Sequence, residues 1–196
     1  KRRKENPNYN GTEGFNYFLA IAYPDSELEV LDYNRTVKDL NGLSKEAFFK
    51  AVEEKFTVEK TLNNERFKPD SKHTFGMYID KEWYKLEAKE GSFDENDPTD
   101  RLDVSILQNN LLSPILGIDD PTKSDRIEFI GGIRGLKELE KRANNDMRVS
   151  FAMYATTIED IMSIADAGKI MPPKSTWFEP KPRSGLFVHK LTEVHK

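Results

Sequence analysis

A proline-rich segment near the end of the chain, residues 170–185, most restricts the fold that this sequence can adopt. It contains four prolines, three cationic side chains, three hydroxyl side chains and two large aromatic rings, in the order IMPPKSTWFEPKPRSG. Each proline removes a backbone amide donor and fixes φ, so the segment suits neither an α-helix nor a central strand. We therefore predict a stiff, extended loop, and loops often carry binding residues.

The cations and hydroxyls of this loop are candidates for an anion-binding site. Such a site would be built from the side chains of Lys174, Ser175, Thr176, Lys181 and Arg183. The first three of these are similar to the end of a phosphate-binding P-loop, but two prolines stand where that motif needs glycines with free amides, so a Walker motif is excluded. The alternative is a surface loop anchored by Trp177 and Phe178, with its charges solvated.

Arg35 is a further candidate ligand-binding residue. It belongs to a polar group with Asn34, Lys38 and Asp39 that follows an apolar segment. A guanidinium group can bind a carboxylate or a phosphate through two parallel hydrogen bonds. The alternative for Arg35 is a structural ion pair with Asp32 or Asp39.

A glycine-rich run, residues 131–135, lies between a predicted strand and a predicted helix. Backbone amides in such a position can bind an anion. The run lacks the spacing of a dinucleotide-binding motif, however, and a tight strand-to-helix turn is the favoured interpretation.

Composition excludes several classes of function. The 196 residues are 37% hydrophobic and 33% charged, with a net charge of −4. Charges of both signs are interspersed, so we expect no nucleic-acid partner. The absence of cysteine excludes disulfides and thiolate chemistry and is typical of a cytoplasmic protein. No apolar run approaches the roughly 18–20 residues of a membrane span, so we expect no membrane association.

Neither a metal site nor a catalytic constellation can be assembled from the sequence. The histidines, His73, His189 and His195, are widely spaced and match no metal-ligand spacing, so we predict no metal site. Three acidic pairs lie where turns and helix starts explain them, namely Asp94-Glu95, Asp119-Asp120 and Glu159-Asp160. The catalytic residues therefore stay unknown.

Hydrophobic periodicity predicts an α+β fold with a mixed β-sheet and about four helices. Residues 15–23 are apolar on both faces and are predicted as a buried central strand, and residues 186–189 as the closing strand. We expect residues 1–14 to be the end of a helix followed by a linker. Residues 15–196 are then predicted to form a single compact domain.

Local signals predict where helices and turns begin. Ser44 is predicted to cap one helix, Asp97 to start a second, and Thr156 to open a third with a capping box. Asp80 and Lys81 separate two alternating apolar runs and predict a β-hairpin.

Segments along nearly the whole chain, taken in order, resemble one known family. They are residues 16–20, 31–43, 102–107, 115–118, 129–135 and 165–181. Together they are similar to the C-terminal half of the domain-of-unknown-function family 1015, which contains ParB-like and free-serine-kinase-like proteins. The last segment, from Ala165 to Lys181, is the most specific of these similarities.

The resemblance implies that this chain is one part of a larger enzyme. Members of the family carry an additional N-terminal half with an Asp-Gly-His-His-Arg-type motif, which this sequence does not contain. The implied partner is therefore the missing N-terminal half of the same protein. The implied function is that of an accessory half of a small-molecule phosphotransferase similar to free serine kinase, with ATP or ADP and Mg²⁺ as cofactors in the full-length protein.

Whether this part alone is an enzyme stays open at the level of sequence. In the phosphotransferase interpretation, the Lys174 loop binds a phosphate or a nucleotide. The alternative is a non-enzymatic binding or interaction domain, in which residues 170–178 dock against a partner. That alternative predicts that Trp177 and Phe178 are exposed.

Overall fold

The structure is a computed structural model that describes residues 1–192. Its contacts divide the chain into two compact units. One unit contains Lys1–Glu29 and the residues from Glu179 onward, and the other contains Val30–Phe178. The expected linker over residues 1–14 and the single domain over residues 15–196 stay predictions.

Eight strands are described in residues 1–192. In chain order they are β1 (Glu29–Leu31), β2 (Tyr33–Val37), β3 (Phe56–Lys60), β4 (Thr74–Ile79), β5 (Glu82–Ala88), β6 (Ile127–Gly131), β7 (Val149–Met153) and β8 (Trp177–Glu179). Six of them form one sheet in the order β3-β5-β4-β7-β2-β6, and β1 pairs with β8. The predicted α+β class is confirmed, although the pairings of the large sheet are antiparallel rather than mixed.

Five α-helices accompany these strands in the described residues, where about four were predicted. They are α1 (Arg2–Glu5), α2 (Lys45–Val52), α3 (Asp103–Leu107), α4 (Gly135–Asn145) and α5 (Ile158–Asp166). The first is a single turn, and α3 continues as a π-helix over Gln108–Leu112. Among residues 1–192, no helix combines the length and the hydropathy needed to cross a membrane.

The helix caps predicted from the sequence are confirmed only in part. The Ser44 cap is confirmed, because its hydroxyl accepts a hydrogen bond from the backbone N–H of Ala47. The capping box of α5 begins at Thr157 rather than Thr156 and pairs with Asp160. The predicted helix start at Asp97 is wrong, since its carboxylate caps an isolated turn and the helix begins at Asp103.

Two predicted strands in the smaller unit are wrong. Gly14–Asn16 is a 3₁₀ turn, and residues 17–24 have no regular structure, with Phe18 84% exposed. Residues 186–189 form no strand either, and residues 186–188 are exposed. A short apolar run does not specify a strand by itself, because the strand also needs a neighbour for its backbone groups.

The core is divided between the two faces of the large sheet. Phe75, Met77 and Phe151 point to one face, where they pack with α2 and the apolar segment around α3. Tyr78 and Ala152 point to the other face, which α4 covers. This alternation is the expected consequence of strand geometry, and it fixes α3 against the face that carries the largest part of the core.

Candidate functional site

Arg35 is a charged side chain held in the interior of the large sheet. It lies in the middle of β2, opposite Phe129 of β6 and Phe151 of β7. The residue is only 3% exposed. Arginine is almost never this deeply buried unless it is paired, so its partners decide its role.

The Arg35 guanidinium is bound by carbonyl oxygens rather than by a carboxylate. Nη1 donates to the carbonyl oxygen of Tyr33, and Nη2 donates to that of Lys174 at 3.0 Å. Within the described residues, no carboxylate oxygen lies within ion-pair distance of Arg35. Neither of the alternative ion pairs therefore forms, since Asp39 binds Arg126 and Asp32 accepts a hydrogen bond from Asn34.

Burial lowers the pKa of the Arg35 side chain but leaves the side chain charged at neutral pH. Desolvation lowers the pKa of Arg35 to about 10, because the buried guanidinium loses its hydration. At neutral pH the group is still cationic. Arg35 thus carries a buried positive charge that the described part of the chain does not neutralise at close range.

Arg35 lines a cleft of about 390 Å³, named here the Arg35 cleft. Its apolar walls are Val104, Leu112, Pro121, Phe129, Pro172 and Pro173. Its other polar residues are Thr99, Ser105, Gln108, Asn109, Asp119 and Asp120. A cleft with large apolar surfaces and a few convergent polar groups has the composition of a small-molecule site.

The two carboxylates of the cleft are held by neighbouring side chains. Asp119 accepts a hydrogen bond from Ser113, and Asp120 binds Lys123 and Thr122. The hydrogen bond from Lys123 lowers the pKa of Asp120 to about 2. Asp120 is therefore ionised at neutral pH, and it gives the cleft an acidic part in addition to the cationic group of Arg35.

The proline-rich loop contributes to the cleft as a fixed wall. Pro172 and Pro173 line it, and Lys174 has a positive φ of 57°, so that its carbonyl reaches Arg35. The Lys174 ammonium lies 5.9 Å from the centre of the Phe129 ring, and the Arg35 guanidinium lies 5.5 Å from it. Two cations therefore share one aromatic ring at the cleft.

Hydroxyl groups near this loop hold its conformation. Ser175 is 5% exposed, and its hydroxyl donates to the carbonyl oxygen of Pro172 at 2.7 Å. Thr156 donates to the carbonyl oxygen of Ser175 at 2.9 Å, while Thr176 is half-buried. The structure thus brings Arg35 together with Lys174 of the predicted loop site, while Ser175 holds the loop by hydrogen bonds.

The other two predicted site residues belong to the smaller unit. Lys181 and Arg183 are exposed there, beyond the Phe178 boundary of the larger unit. Their part in ligand binding stays a prediction.

The glycine-rich run is a close-packed turn, as the favoured interpretation predicted. Strand β6 ends at Gly131, and α4 begins at Gly135. A Cβ atom on Gly131 would lie 2.7 Å from the ring of Trp177, and one on Gly132 would collide with the carboxylate of Asp32. Glycine is therefore required here for packing, without any ligand.

The two aromatic residues of the loop are neither exposed nor deeply buried. Trp177 and Phe178 are both half-buried, and the Trp177 ring lies edge-on to Tyr33 at 5.3 Å between centroids. The interaction-domain alternative predicted exposed rings, so the packing of Trp177 gives it no support.

Sequence reasoning missed the polar residues that α3 and its π-helical extension bring to the cleft. Ser105, Gln108 and Asn109 are three and four positions apart and so lie on one helical face. Asp103, a buried carboxylate in the same apolar segment, was missed as well. A polar stripe inside an otherwise apolar helix was the available signal.

Comparisons with solved structures find the same fold in part of a larger protein. Free serine kinase in complex with AMP has a TM-score of 0.50 and 14% sequence identity, over 81% of this chain and 56% of that chain. A conserved hypothetical protein from Pyrococcus furiosus has a TM-score of 0.49 and 15% identity, over 81% and 59%. The chain thus spans between 56% and 59% of the length of these two structures. At 14% identity, the likeness to free serine kinase shows a shared fold.

Comparison at the level of sequence identifies the family. No curated protein matches the sequence significantly. The sequence profile described as "Protein of unknown function (DUF1015)" matches residues 1–105, which is more than half of the 196 residues. The resemblance seen in the sequence motifs is therefore confirmed, and the chain belongs to the DUF1015 family.

Proposed function

We propose that the Arg35 cleft binds the phosphate groups of an adenine nucleotide, and that the chain is the nucleotide-binding part of a small-molecule phosphotransferase. The observation that carries this proposal is the buried guanidinium of Arg35, which lines the cleft without a carboxylate partner in the described residues. The solved structure of free serine kinase with AMP, which has the same fold, supports the choice of ligand.

The electrostatics of Arg35 favour an anionic ligand. A buried charge without a close counter-charge is costly, and a bound phosphate would supply that counter-charge. Arginine suits phosphate because its planar fork matches two phosphate oxygens, and such charge-assisted hydrogen bonds are about twice as strong as neutral ones. A ligand phosphate at Arg35 would thus recover part of the free energy that burial of this side chain costs.

The rest of the cleft favours a nucleotide over inorganic phosphate. Phe129, Pro172 and Pro173 present flat or rigid apolar surfaces on which a purine ring can pack. Asp119 and Asp120 repel phosphate, but they are good acceptors for the hydroxyl groups of a ribose. We therefore infer that the phosphates lie towards Arg35 and the sugar towards the two carboxylates.

The loop residues extend this proposal to the transfer reaction. Lys174 provides a second cation at the Phe129 ring, and phosphoryl transfer depends mainly on positioning and on neutralisation of the phosphate charge. We propose ADP or ATP with Mg²⁺ as the nucleotide, and a small hydroxyl compound such as free serine as the acceptor. Ser175 holds the loop in place through its hydroxyl and its carbonyl oxygen. Thr176, Lys181 and Arg183 stay candidate ligand-binding residues.

Isothermal titration of the chain with ADP, AMP, pyrophosphate and adenosine tests the proposal. We expect ADP and AMP to bind and adenosine, which lacks phosphate, to bind more weakly. The Arg35→Met variant keeps much of the volume of the side chain and removes the charge, so it should lose at least about tenfold in ADP affinity, since hydrogen bonds to charged groups contribute about 1.5–3 kcal/mol.

The Arg134→Met variant is the matched control. Arg134 is exposed and does not line the cleft, so this variant removes the same charge and should bind ADP as the wild type does. Circular dichroism of both variants verifies that they are folded. Equal ADP affinity of the folded Arg35→Met variant and the wild type, or no binding of any phosphate-containing ligand to the wild type, would refute the proposal.

A further inference from the structure

A second cavity of about 250 Å³, named here the Asp103 pocket, shares no lining residue with the Arg35 cleft. It is formed where four segments of the larger unit meet: the residues just before β4, the residues around the start of α3, the residues that follow β7, and the first turn of α5. Its polar residues are Lys72, His73, Arg101, Asp103, Tyr154 and Asp160. The proposed nucleotide site therefore does not account for this pocket.

Asp103 is a buried carboxylate with one satisfied and one unsatisfied oxygen. The residue is 9% exposed, and its Oδ1 atom accepts a hydrogen bond from the backbone N–H of His73 at 2.9 Å. Its Oδ2 atom is fully buried and has no hydrogen-bond partner within residues 1–192. Leaving a buried acceptor unpaired costs free energy, so the Asp103 carboxyl group would gain from a hydrogen-bond donor in the pocket.

The neighbouring polar groups are occupied with one another. Asp160 binds the Lys72 ammonium at 2.7 Å and also accepts hydrogen bonds from the backbone and the side chain of Thr157. The His73 ring contacts the carbonyl oxygen of Arg101 at 3.2 Å. Because these groups bind one another, Asp103 Oδ2 has no hydrogen-bond donor in the described residues. The Asp103 carboxylate also forms no ion pair with a described side chain.

We propose that the Asp103 pocket binds the primary ammonium group of a small amine, with the Asp103 carboxylate as its acceptor. An ammonium group supplies both the missing hydrogen-bond donor and the missing positive charge, whereas a hydroxyl supplies only the donor. A cavity of about 250 Å³ has room for a small amine, since a cavity of about 150 Å³ already holds a benzene molecule. The pocket shares no lining residue with the Arg35 cleft, so amine binding can be tested without any nucleotide.

The protonation of Asp103 makes this binding depend on pH. Burial raises the pKa of Asp103 to about 7, while Lys72 and Arg35 lower it and Asp160 raises it. Below that pH the carboxyl group is protonated, so amine binding must release its proton. Affinity should therefore rise as pH increases from 6 to 8, by about tenfold, and then level off. The other charged or titratable residues that line the pocket are His73, Arg101 and Tyr154.

NMR titration of the chain with propylamine and with putrescine tests this inference. The reporter is the backbone amide at position 73, which donates directly to Asp103. We expect a saturable shift of this amide with either amine, but not with propan-1-ol or propionate, which have a similar chain length without the ammonium group. The shift should saturate at about tenfold lower amine concentration at pH 8 than at pH 6.

Three variants test whether Asp103 itself is the acceptor of the ammonium group. Asp103→Asn keeps the oxygen that His73 uses but replaces the unmatched acceptor by a donor, so it should abolish the saturable shift. Asp125→Asn makes the same change of net charge at an exposed residue that does not line the pocket, and it should leave binding unchanged. His73→Gln should retain the pH dependence, because that dependence is assigned to Asp103.

Several outcomes would overturn the inference. Equal shifts with propylamine and propan-1-ol would mean that the ammonium group is not recognised. Retained amine binding in folded Asp103→Asn would place the site elsewhere, and the absence of a saturable shift with either amine would mean that the pocket does not bind amines.

Discussion

At the scale of single residues, Arg35 and Asp103 are charged groups that the fold buries without a close counter-charge in the described residues. Such residues cost stability, because burial removes hydration that no ion pair replaces. Groups of this kind cluster where proteins bind ligands, although structural networks also perturb pKa values. Asp103 raises the pKa of Arg35 and Arg35 lowers the pKa of Asp103, so the two charges act on each other beyond ion-pair distance. The proposed ligands are an anion for Arg35 and a cation for Asp103.

The carboxyl group of Asp103 should make the stability of the chain depend on pH. Its folded-state pKa of about 7 lies above the usual value of 3.8, so the folded state holds a proton that the unfolded state releases. The contribution of Asp103 to stability therefore falls as pH rises from about 4 to 7, and by pH 8 its loss approaches about 4 kcal/mol. The Asp103→Asn variant has no carboxyl group to titrate at this position. Its free energy of unfolding should therefore exceed that of the wild type by up to this amount at pH 8.

Urea unfolding of both proteins at pH 4.5 and pH 8 measures this difference. Asp125→Asn is the control, because an exposed carboxylate should give nearly the same difference from the wild type at both pH values. A gap between wild type and Asp103→Asn that does not grow with pH would contradict the burial of an ionisable group at this position.

The two buried charges were not equally predictable from the sequence. Arg35 stood out because it belongs to a polar group beside an apolar strand, yet the sequence left open whether Asp32 or Asp39 pairs with it. The choice depends on Arg126, which binds Asp39 from 87 positions further along the chain. Asp103 gave only a weak local signal, and its unpaired oxygen is a consequence of tertiary packing.

At the scale of elements, the packing of β6 against β8 decides where the proline-rich loop lies. A Cβ atom on Gly131 would approach the Trp177 ring to 2.7 Å, closer than carbon atoms tolerate. Gly131→Ala should therefore destabilise the chain by about 1–3 kcal/mol, as overpacking of a close contact does. Because the ring causes the clash, adding Trp177→Leu should recover part of this loss.

A double-mutant cycle measured by urea unfolding tests this contact. The two substitutions should be non-additive, with the double variant more stable than the sum of the single effects predicts. If the two changes in unfolding free energy are strictly additive, position 131 and the Trp177 ring are not in close contact.

The β4–β5 hairpin offers a stabilising substitution. Asp80 and Lys81 form its two-residue turn with φ values of 51° and 63°, a left-handed conformation that glycine adopts with less strain. Lys81→Gly should raise the free energy of unfolding by about 0.5–1 kcal/mol. Lys81→Ala, which removes the same charge but keeps a Cβ atom, should give no such gain in urea denaturation.

The elements that depend on residues close together in the sequence could be predicted. The β4–β5 hairpin and the Ser44 cap depend on neighbouring residues, and both are present. The strands predicted for residues 15–23 and 186–189 depend on pairing with distant segments, which apolar composition does not encode. For the same reason, the sequence does not predict which strands are neighbours in the sheet. The position of β7 between β4 and β2 is an example.

At the scale of the whole molecule, every residue that lines the Arg35 cleft belongs to the unit Val30–Phe178. Replacing both Lys181 and Arg183, the two candidate residues outside that unit, by alanine should change ADP affinity less than Lys174→Ala does, since the Lys174 ammonium lies at the Phe129 ring of the cleft. Titration of this double variant beside Lys174→Ala shows which part of the proline-rich loop binds the nucleotide. A large loss in the double variant would bring residues beyond Phe178 into the site.

A crystal structure of the chain with ADP would show directly whether the nucleotide occupies the Arg35 cleft. We expect phosphate oxygens within hydrogen-bond distance of the Arg35 guanidinium, and the adenine ring against Phe129 or the two prolines, Pro172 and Pro173. ADP bound outside the Arg35 cleft, or a cleft that stays closed to ADP at saturating concentration, would contradict this expectation.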